Sequence, residues 1–313
     1  MEWWGWLLIG IGALIVLLAP YFIVMTYQFK NTFTIKKQRD DNTLPSEHNP
    51  YREKIIETRK YFDSLNKEAV YITSFDNLKL KADYVKGENT KKIVIFFHGY
   101  KSSCKNDFKS VKYFIEKGYS LLMVNQRAHG MSEGKYVTFG KNERIDCKNW
   151  VDYAIERFGS DVEILLMGVS MGSTTVMSSA NLGLPKNVLG MVCDCGFTSG
   201  KEEISYCIKT SAHTPPFLIV PVLNLYCILF AKFSLNNVSC VTSLSESDIP
   251  ILMIHGEQDD FVPYFFSVKN FNACNMENKE LVTFNCIKHA ACYYADKELY
   301  DSKLDKFIKS INF

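Results

Sequence analysis

The sequence predicts an α/β fold: a mostly parallel central sheet of about eight strands flanked by helices, with a helical cap insertion and an N-terminal transmembrane helix. Three observations carry that expectation. Short continuous apolar runs recur from about residue 69, most of them separated by helical patterns, as strands buried on both faces require. One stretch of about fifty residues interrupts the rhythm and is too apolar for a solvated loop. Before all of this lies a long segment without charge.

That segment runs from Trp3 to Phe29, "WWGWLLIGIGALIVLLAPYFIVMTYQF". As a helix it would be about 40 Å long, enough to cross a hydrocarbon core of about 30 Å. Trp3, Trp4 and Trp6 sit at one end and Tyr21, Phe22 and Tyr27 toward the other, where interfacial aromatic residues belong. A cleaved signal peptide would need a basic leader, a shorter apolar core and a small-x-small cleavage site. Glu2 stands where that leader would be basic, so residues 1–29 are expected to remain as an anchor. Lys30, Lys36, Lys37 and Arg39 follow the span, and the positive-inside rule keeps that side cytoplasmic. The expected location is therefore the cell membrane, single-pass, with the remainder of the chain in the cytoplasm. Residues 30–60 are polar and broken by two prolines, and read as a tether.

Residues 61–313 form the expected folded domain. "AVYITSF" and "KLKADYVK" make an antiparallel edge pair around the turn "DNL". "KKIVIFFHG", "SLLMVN", "VEILLMG", "VLGMVCD", "PILMIHG" and "ELVTFN" supply the buried strands. Val151, Ala154, Ile155 and Phe158 share one helical face, as do Tyr300, Leu304, Phe307, Ile308 and Ile311. The insertion covers about 200–247 and includes "TPPFLIVPVLNLYCILFAKF". Pro215, Pro216 and Pro221 break its first half and the rest is too short to span a bilayer, so it reads as a cap or membrane-leaning lid.

Composition narrows the function. The chain is 47% hydrophobic and 22% charged with net charge +2, an ordinary globular balance without the basic excess that nucleic acid requires. Ten cysteines are scattered, several in apolar runs where a reduced thiol packs as a small hydrophobe. Cys193 and Cys195 form a C-x-C, but no second pair or histidine cluster completes a zinc pattern.

The chemistry centres on "EILLMGVSMGSTT". Ser170 follows a buried strand and precedes a helix-compatible run, with Gly168 and Gly172 leaving room for a sharp strand–turn–helix elbow. A serine hydroxyl is a weak nucleophile at neutral pH and needs a base and an orienting acid. Of the six histidines, His48 lies in the tether and His213 in the cap, while His98 and His255 precede glycines at strand ends as loop braces. His129 belongs to a turn, and His289 follows the last strand, where the base is expected. The acid is expected after "PILMIHG" as Asp259, with its neighbour Asp260 and Asp194 as alternatives. The oxyanion donors are expected to be the backbone N–H groups of Met171 and of Tyr100 in "FFHGYKSS". Arg127 is read as half of a structural ion pair.

With "FFHGY", "NQRAHGMSEG", "GVSMG", "DCGFTS", "HGEQDDFVP" and "KHA" in this order, residues 60–313 resemble the α/β-hydrolase superfamily. More narrowly they resemble membrane-anchored bacterial serine hydrolases near the acyl-ester hydrolase and dipeptidyl-aminopeptidase-like groups. The resemblance puts the acid at Asp259 and the base at His289. Asn125 departs from it, since relatives often carry Asp there. The expected activity is a serine hydrolase acting on esters or thioesters of acyl or lipid-like substrates, with no metal or organic cofactor. A serine peptidase on the same fold and a non-catalytic membrane-tethered binding protein are the alternatives.

Overall fold

The computed structural model describes residues 2–35, 45–47, 49–286 and 288–313. Lys36, Lys37, Arg39 and His48, invoked above, lie outside the described residues. The chain opens with α1 (Trp3–Phe33), an apolar helix long enough to cross a membrane by length and composition. Next comes α2 (Arg52–Ser64), which crosses the boundary placed at residue 60 between tether and domain. Its apolar stripe is narrow. Only Thr58 and Phe62 are buried, and Phe62 packs edge-on against Phe108 with ring centroids 5.3 Å apart.

The eight expected strands are present. In chain order β1 (Glu68–Thr73), β2 (Lys79–Val85) and β3 (Asn89–Phe97) lead to the short helices α3 (Cys104–Asp107) and α4 (Lys109–Glu116). Then β4 (Tyr119–Val124), α5 (Glu143–Phe158), β5 (Glu163–Val169), α6 (Met171–Ser179) and β6 (Val188–Asp194) alternate. Between β6 and β7 (Ile251–Gly256) the chain is helical: α7 (Gly200–Ser211), α8 (Pro216–Tyr226), a π-helical turn over Cys227–Ala231, and α9 (Cys240–Ser245). The last elements are α10 (Phe265–Ala273), β8 (Lys279–Phe284), α11 (Cys292–Ala295) and α12 (Lys297–Ser310).

The strands form one sheet in the order β1-β2-β4-β3-β5-β6-β7-β8. β1 pairs antiparallel with β2, β2 pairs antiparallel with β4, and all other neighbours are parallel. β3, β5 and β7 are buried over most of their length because helices cover both faces, which is why they read as unbroken apolar runs. One core lies between the sheet and α4, α11 and α12, and the other between the sheet and α5, α6 and α9. The helical faces expected for α5 and α12 point inward, with Val151, Ala154, Tyr300, Leu304, Phe307 and Ile308 buried.

A third apolar cluster lies at the carboxyl ends of the strands. Phe29 and Phe33 from α1 pack there with Phe139, Met171, Phe197, Ile204, Val220 and Leu223. α1 is therefore exposed along its first part and docked over its last turns.

Arg127 is the ion-pair residue the sequence suggested. It is buried, with its Nε 2.6 Å and Nη2 2.8 Å from the two carboxylate oxygens of Asp146, while Nη1 donates to Asp76 at 3.0 Å. Removing one partner strands buried charge. Arg127→Ala is expected to lower the unfolding free energy by about 3–5 kcal/mol, read from urea denaturation at pH 7; a loss under about 1 kcal/mol would contradict this account.

Candidate active site

Ser170 sits at the turn between β5 and α6 with φ +55° and ψ −119°. Such a conformation is costly for a residue with a side chain, and close packing enforces it here. A Cβ on Gly172 would lie 1.9 Å from the Phe97 carbonyl oxygen, and one on Gly168 would lie 2.3 Å from the Gly172 carbonyl carbon. The turn is pinned by Ser170 N–H donating to the Asp194 carbonyl at 2.8 Å and by Thr174 N–H donating to the Ser170 carbonyl at 3.1 Å.

The loop after β3 runs beside this turn, close enough that a Cβ on Gly99 would sit 3.4 Å from Ser170 Cβ. Asp107, buried in α3, accepts from Gly99 N–H at 2.8 Å and so sets the loop's path. Burial pushes the Asp107 carboxyl up, but Lys109 and the Gly99 N–H outweigh it and hold the group below its usual range. The backbone N–H groups of Tyr100 and Met171 have no hydrogen-bond partner among the described residues. Two free main-chain donors beside a serine are what an oxyanion site needs.

His289 Nδ1 lies 2.7 Å from Asp259 Oδ2. Asp259 Oδ1 accepts from the N–H groups of Phe261 and Val262, both at 2.9 Å, and its Oδ2 lies 3.6 Å from His255 Nε2. Burial alone would raise this carboxyl, yet hydrogen bonding from His255 and His289 keeps it well below the ordinary carboxylate range. It stays an anion facing the imidazole. The two alternatives point elsewhere. Asp260 accepts from the His289 backbone N–H at 3.3 Å and pairs with Lys288 at 2.9 Å. Asp194 is fully buried and accepts from the Tyr300 hydroxyl at 3.1 Å.

Three other histidines brace loops. His98 Nδ1 lies 2.8 Å from the Gly99 carbonyl, and His129 Nε2 accepts from Lys101 N–H at 3.0 Å. His255 contacts Ser267 Oγ at 2.6 Å and the Val262 carbonyl at 2.9 Å. Burial lowers His129 to about 3, so its ring is neutral and can accept.

Two cavities meet at Ser170. One, of about 440 Å³, also reaches His289 and is lined by polar groups including Arg59, Asn106 and Lys109. The other, of about 580 Å³, is mostly apolar and lies between α1, α7 and α8, with Met25, Ile208 and Leu223 among its walls. Ser170 Oγ and the His289 ring share the first cavity without a hydrogen bond between them among the described residues. Catalytic contacts of this kind are often loose before substrate arrives.

Two neighbours were not legible as site residues. Cys195 Sγ lies 3.9 Å from His289 Nε2. Cys195, Asp259 and His289 could between them offer three metal-ligand atoms. Burial raises the Cys195 thiol well above its usual value, however, and Asp259 is already committed to hydrogen bonds, so the donors fit an ion poorly. Glu203 on α7 lines the apolar cavity while almost wholly buried. Its Oε1 lies 3.3 Å from the Cys207 thiol, and its Oε2 has no partner among the described residues. Only tertiary packing shows this, because "KEEISYC" reads as an ordinary helical face.

A family profile described as "Serine aminopeptidase, S33" matches residues 88–226. The chain has the α/β-hydrolase fold and resembles that superfamily. Among relatives, the Bacillus subtilis protein YqkD is 24% identical over 98% of both chains. A yeast protein, "Uncharacterized membrane protein YNL320W" of Saccharomyces cerevisiae, is 25% identical over 71% of this chain and 73% of its own. Among solved structures, the Pyrococcus furiosus esterase Pf2001 superposes with TM-score 0.65 at 23% identity, over 79% of this chain and 93% of its own. Est1E from Butyrivibrio proteoclasticus, solved with ferulic acid bound, gives TM-score 0.59 at 20% identity over 78% of this chain and 100% of its own.

The buried Glu203 generates a pH prediction. Burial pushes its carboxyl from 4.5 up to about 7, so the folded chain holds a proton that the unfolded chain has lost. Stability relative to Glu203→Gln is therefore full below about pH 4.5, declines between there and about pH 7, and is level above. In a melting series the variant is expected to gain on the wild type across that window only. A constant difference from pH 4 to pH 8 would show that the carboxyl titrates normally.

Proposed function

We propose that this α/β hydrolase is a serine hydrolase that cleaves carboxylic esters or thioesters of acyl, lipid-like compounds, held to a membrane by α1. One observation carries the reading: the strained turn presenting Ser170 opens on the same cavity as His289, whose imidazole is bonded to the buried, anionic Asp259.

The proposed sequence has two steps. Ser170 Oγ attacks the acyl carbonyl as His289 takes its proton, and Asp259 holds the imidazole and offsets the positive charge that forms. The carbonyl oxygen, now negative, receives the Tyr100 and Met171 N–H groups. Collapse of the tetrahedral adduct breaks the bond to the alcohol or thiol, which leaves with the proton from His289. Water, activated by His289, then releases the acid and restores Ser170. Cys195 does not compete, because its buried thiol stays protonated.

The cavities favour the same reading. An apolar chamber on one side of Ser170 suits an acyl chain, and a polar one on the other suits an alcohol portion. Solved esterases share the fold. The membrane part rests on the length and apolarity of α1, on the membrane-protein designation of the yeast relative, and on Lys30 after the span. By the positive-inside rule the domain is cytoplasmic.

A second reading, an aminopeptidase, is favoured by the family description and by Glu203, a buried carboxyl that could meet a substrate amine. The two separate in an assay pairing p-nitrophenyl esters from acetate to palmitate with prolyl p-nitroanilide. Ester turnover is expected to dominate; nitroanilide cleavage with little ester turnover would establish the peptidase. Ser170→Ala should abolish fluorophosphonate labelling and lower turnover about 10⁶-fold, and Asp259→Asn about 10⁴-fold. Unchanged labelling in Ser170→Ala would remove the serine mechanism.

A further inference from the structure

Among the described residues, none covers the outward face of α8 and the π-helical turn after it. Phe217, Leu218, Leu225, Ile228, Leu229 and Phe230 are all between 46% and 73% exposed, while Val220, Leu223 and Cys227 on the other face are buried. A helix apolar all round belongs in a core or in lipid. At sixteen residues, Pro216–Ala231 is about 24 Å long and too short to span a bilayer.

Its position says what covers it. α8 lies alongside α1 and runs in the same direction. Tyr21 OH donates to the Leu218 carbonyl at 2.5 Å, Thr26 Oγ1 lies 3.4 Å from Tyr226 OH, and the Phe29 ring meets those of Tyr226 and Phe230 at 5.8 and 5.9 Å. The exposed face of α8 thus continues the exposed apolar surface of α1 at the level of the last turns of the span. Lys30 in the last turn of α1 and Lys232 just after the π-helical turn lie at the same end, where basic side chains meet lipid headgroups. The apolar cavity reaching Ser170 opens between these elements. Val24, Met25, Gln28, Asn31 and Thr32 of α1 form one wall, and residues of α7 and α8 form the other.

We propose that the face of α8 seats in the headgroup–acyl boundary of the bilayer beside α1, and that the cavity between α1 and α7–α8 admits an acyl chain directly from the membrane. The substrate class is then a bilayer-resident amphiphile: a long-chain acyl ester whose chain occupies the apolar cavity while its polar portion lies in the polar one. This rests on the ester-hydrolase reading. The anchor, on this account, is part of the substrate channel.

The test uses full-length protein in phosphatidylcholine vesicles, with 4-methylumbelliferyl oleate in the bilayer and 4-methylumbelliferyl acetate in solution as probes. The double variant Phe217→Glu, Leu229→Glu alters side chains that line neither cavity. It is expected to hydrolyse the acetate within about twofold of wild type and the vesicle-borne oleate at least about tenfold more slowly, since carboxylates are strongly disfavoured in hydrocarbon. Oleate turnover equal to wild type would overturn the proposal. A separate readout needs no activity. A nitroxide on Leu229→Cys, with the unsubstituted protein as labelling blank, should favour dissolved oxygen over a water-soluble nickel relaxant. A label fully open to the nickel complex would overturn the bilayer seating even if esterase activity is present. A wild type inactive on both esters, with the label buried in lipid, would instead fault the hydrolase reading.

Discussion

The approach of α6 to β3 is the constraint on which the candidate site depends. With a prospective Cβ at Gly172 only 1.9 Å from the Phe97 carbonyl oxygen, no other residue fits there without moving the helix from the sheet. Because the helix starts so close, the chain cannot leave β5 through an ordinary extended turn, and Ser170 takes the positive φ. That conformation costs about 1–3 kcal/mol. Neighbouring hydrogen bonds offset it: Ser173 Oγ donates to the Gly168 carbonyl at 2.6 Å and lies 2.7 Å from the Asp194 carbonyl, so β5, β6 and α6 are tied at one point. The hydroxyl is displayed where three elements meet because the packing leaves it nowhere else to go.

Buried charge around that point is arranged so that each group holds a neighbour in place. Asp107 orders the Gly99 amide, Arg127 ties the following loop to α5 through Asp146, and Asp259 is shared between two backbone amides and an imidazole. In each case the carboxylate is satisfied by donors from loops, which would otherwise be the least ordered parts of the fold. The ion pairs and anions contribute less to net stability than to fixing loop positions, since their desolvation costs about as much as the pairing returns.

Much of this was legible in the sequence for a physical reason. Strands covered on both faces must be apolar throughout, so six of the eight could be read as runs, while β1 and β2 could be read as an edge pair around a turn, and the order serine, aspartate, histidine follows from where their loops lie on a parallel sheet. Arg127 was legible because a buried guanidinium must find carboxylates. The structure brings Asp259 to the His289 ring and turns Asp260 and Asp194 away from it, a choice that side-chain direction makes and composition does not. α2 escaped because a helix held by Thr58 and Phe62 shows little periodicity. Glu203 and Asp107 escaped for a related reason: a carboxyl's burial depends on what folds over it, and nothing in its own segment records that.

The last turns of α1 also carried no sign that they pack on the domain. Met25, Phe29 and Phe33 are at most 4% exposed, and the Phe33 carbonyl accepts from Val137 N–H at 2.9 Å. Burying side chains of this size contributes about 1.5–3 kcal/mol each, enough together to outweigh the freedom gained by releasing the helix end. On the proposed function, a polar tether leaving such a span would let the domain tumble beneath the bilayer, whereas a docked helix fixes one face toward it. The face so fixed is the one bearing α8 and the apolar cavity. On the proposed function, orientation and substrate delivery therefore have a common cause: the aromatic packing of Phe29 and Phe33 holds the helix that both anchors the protein and walls the path to Ser170.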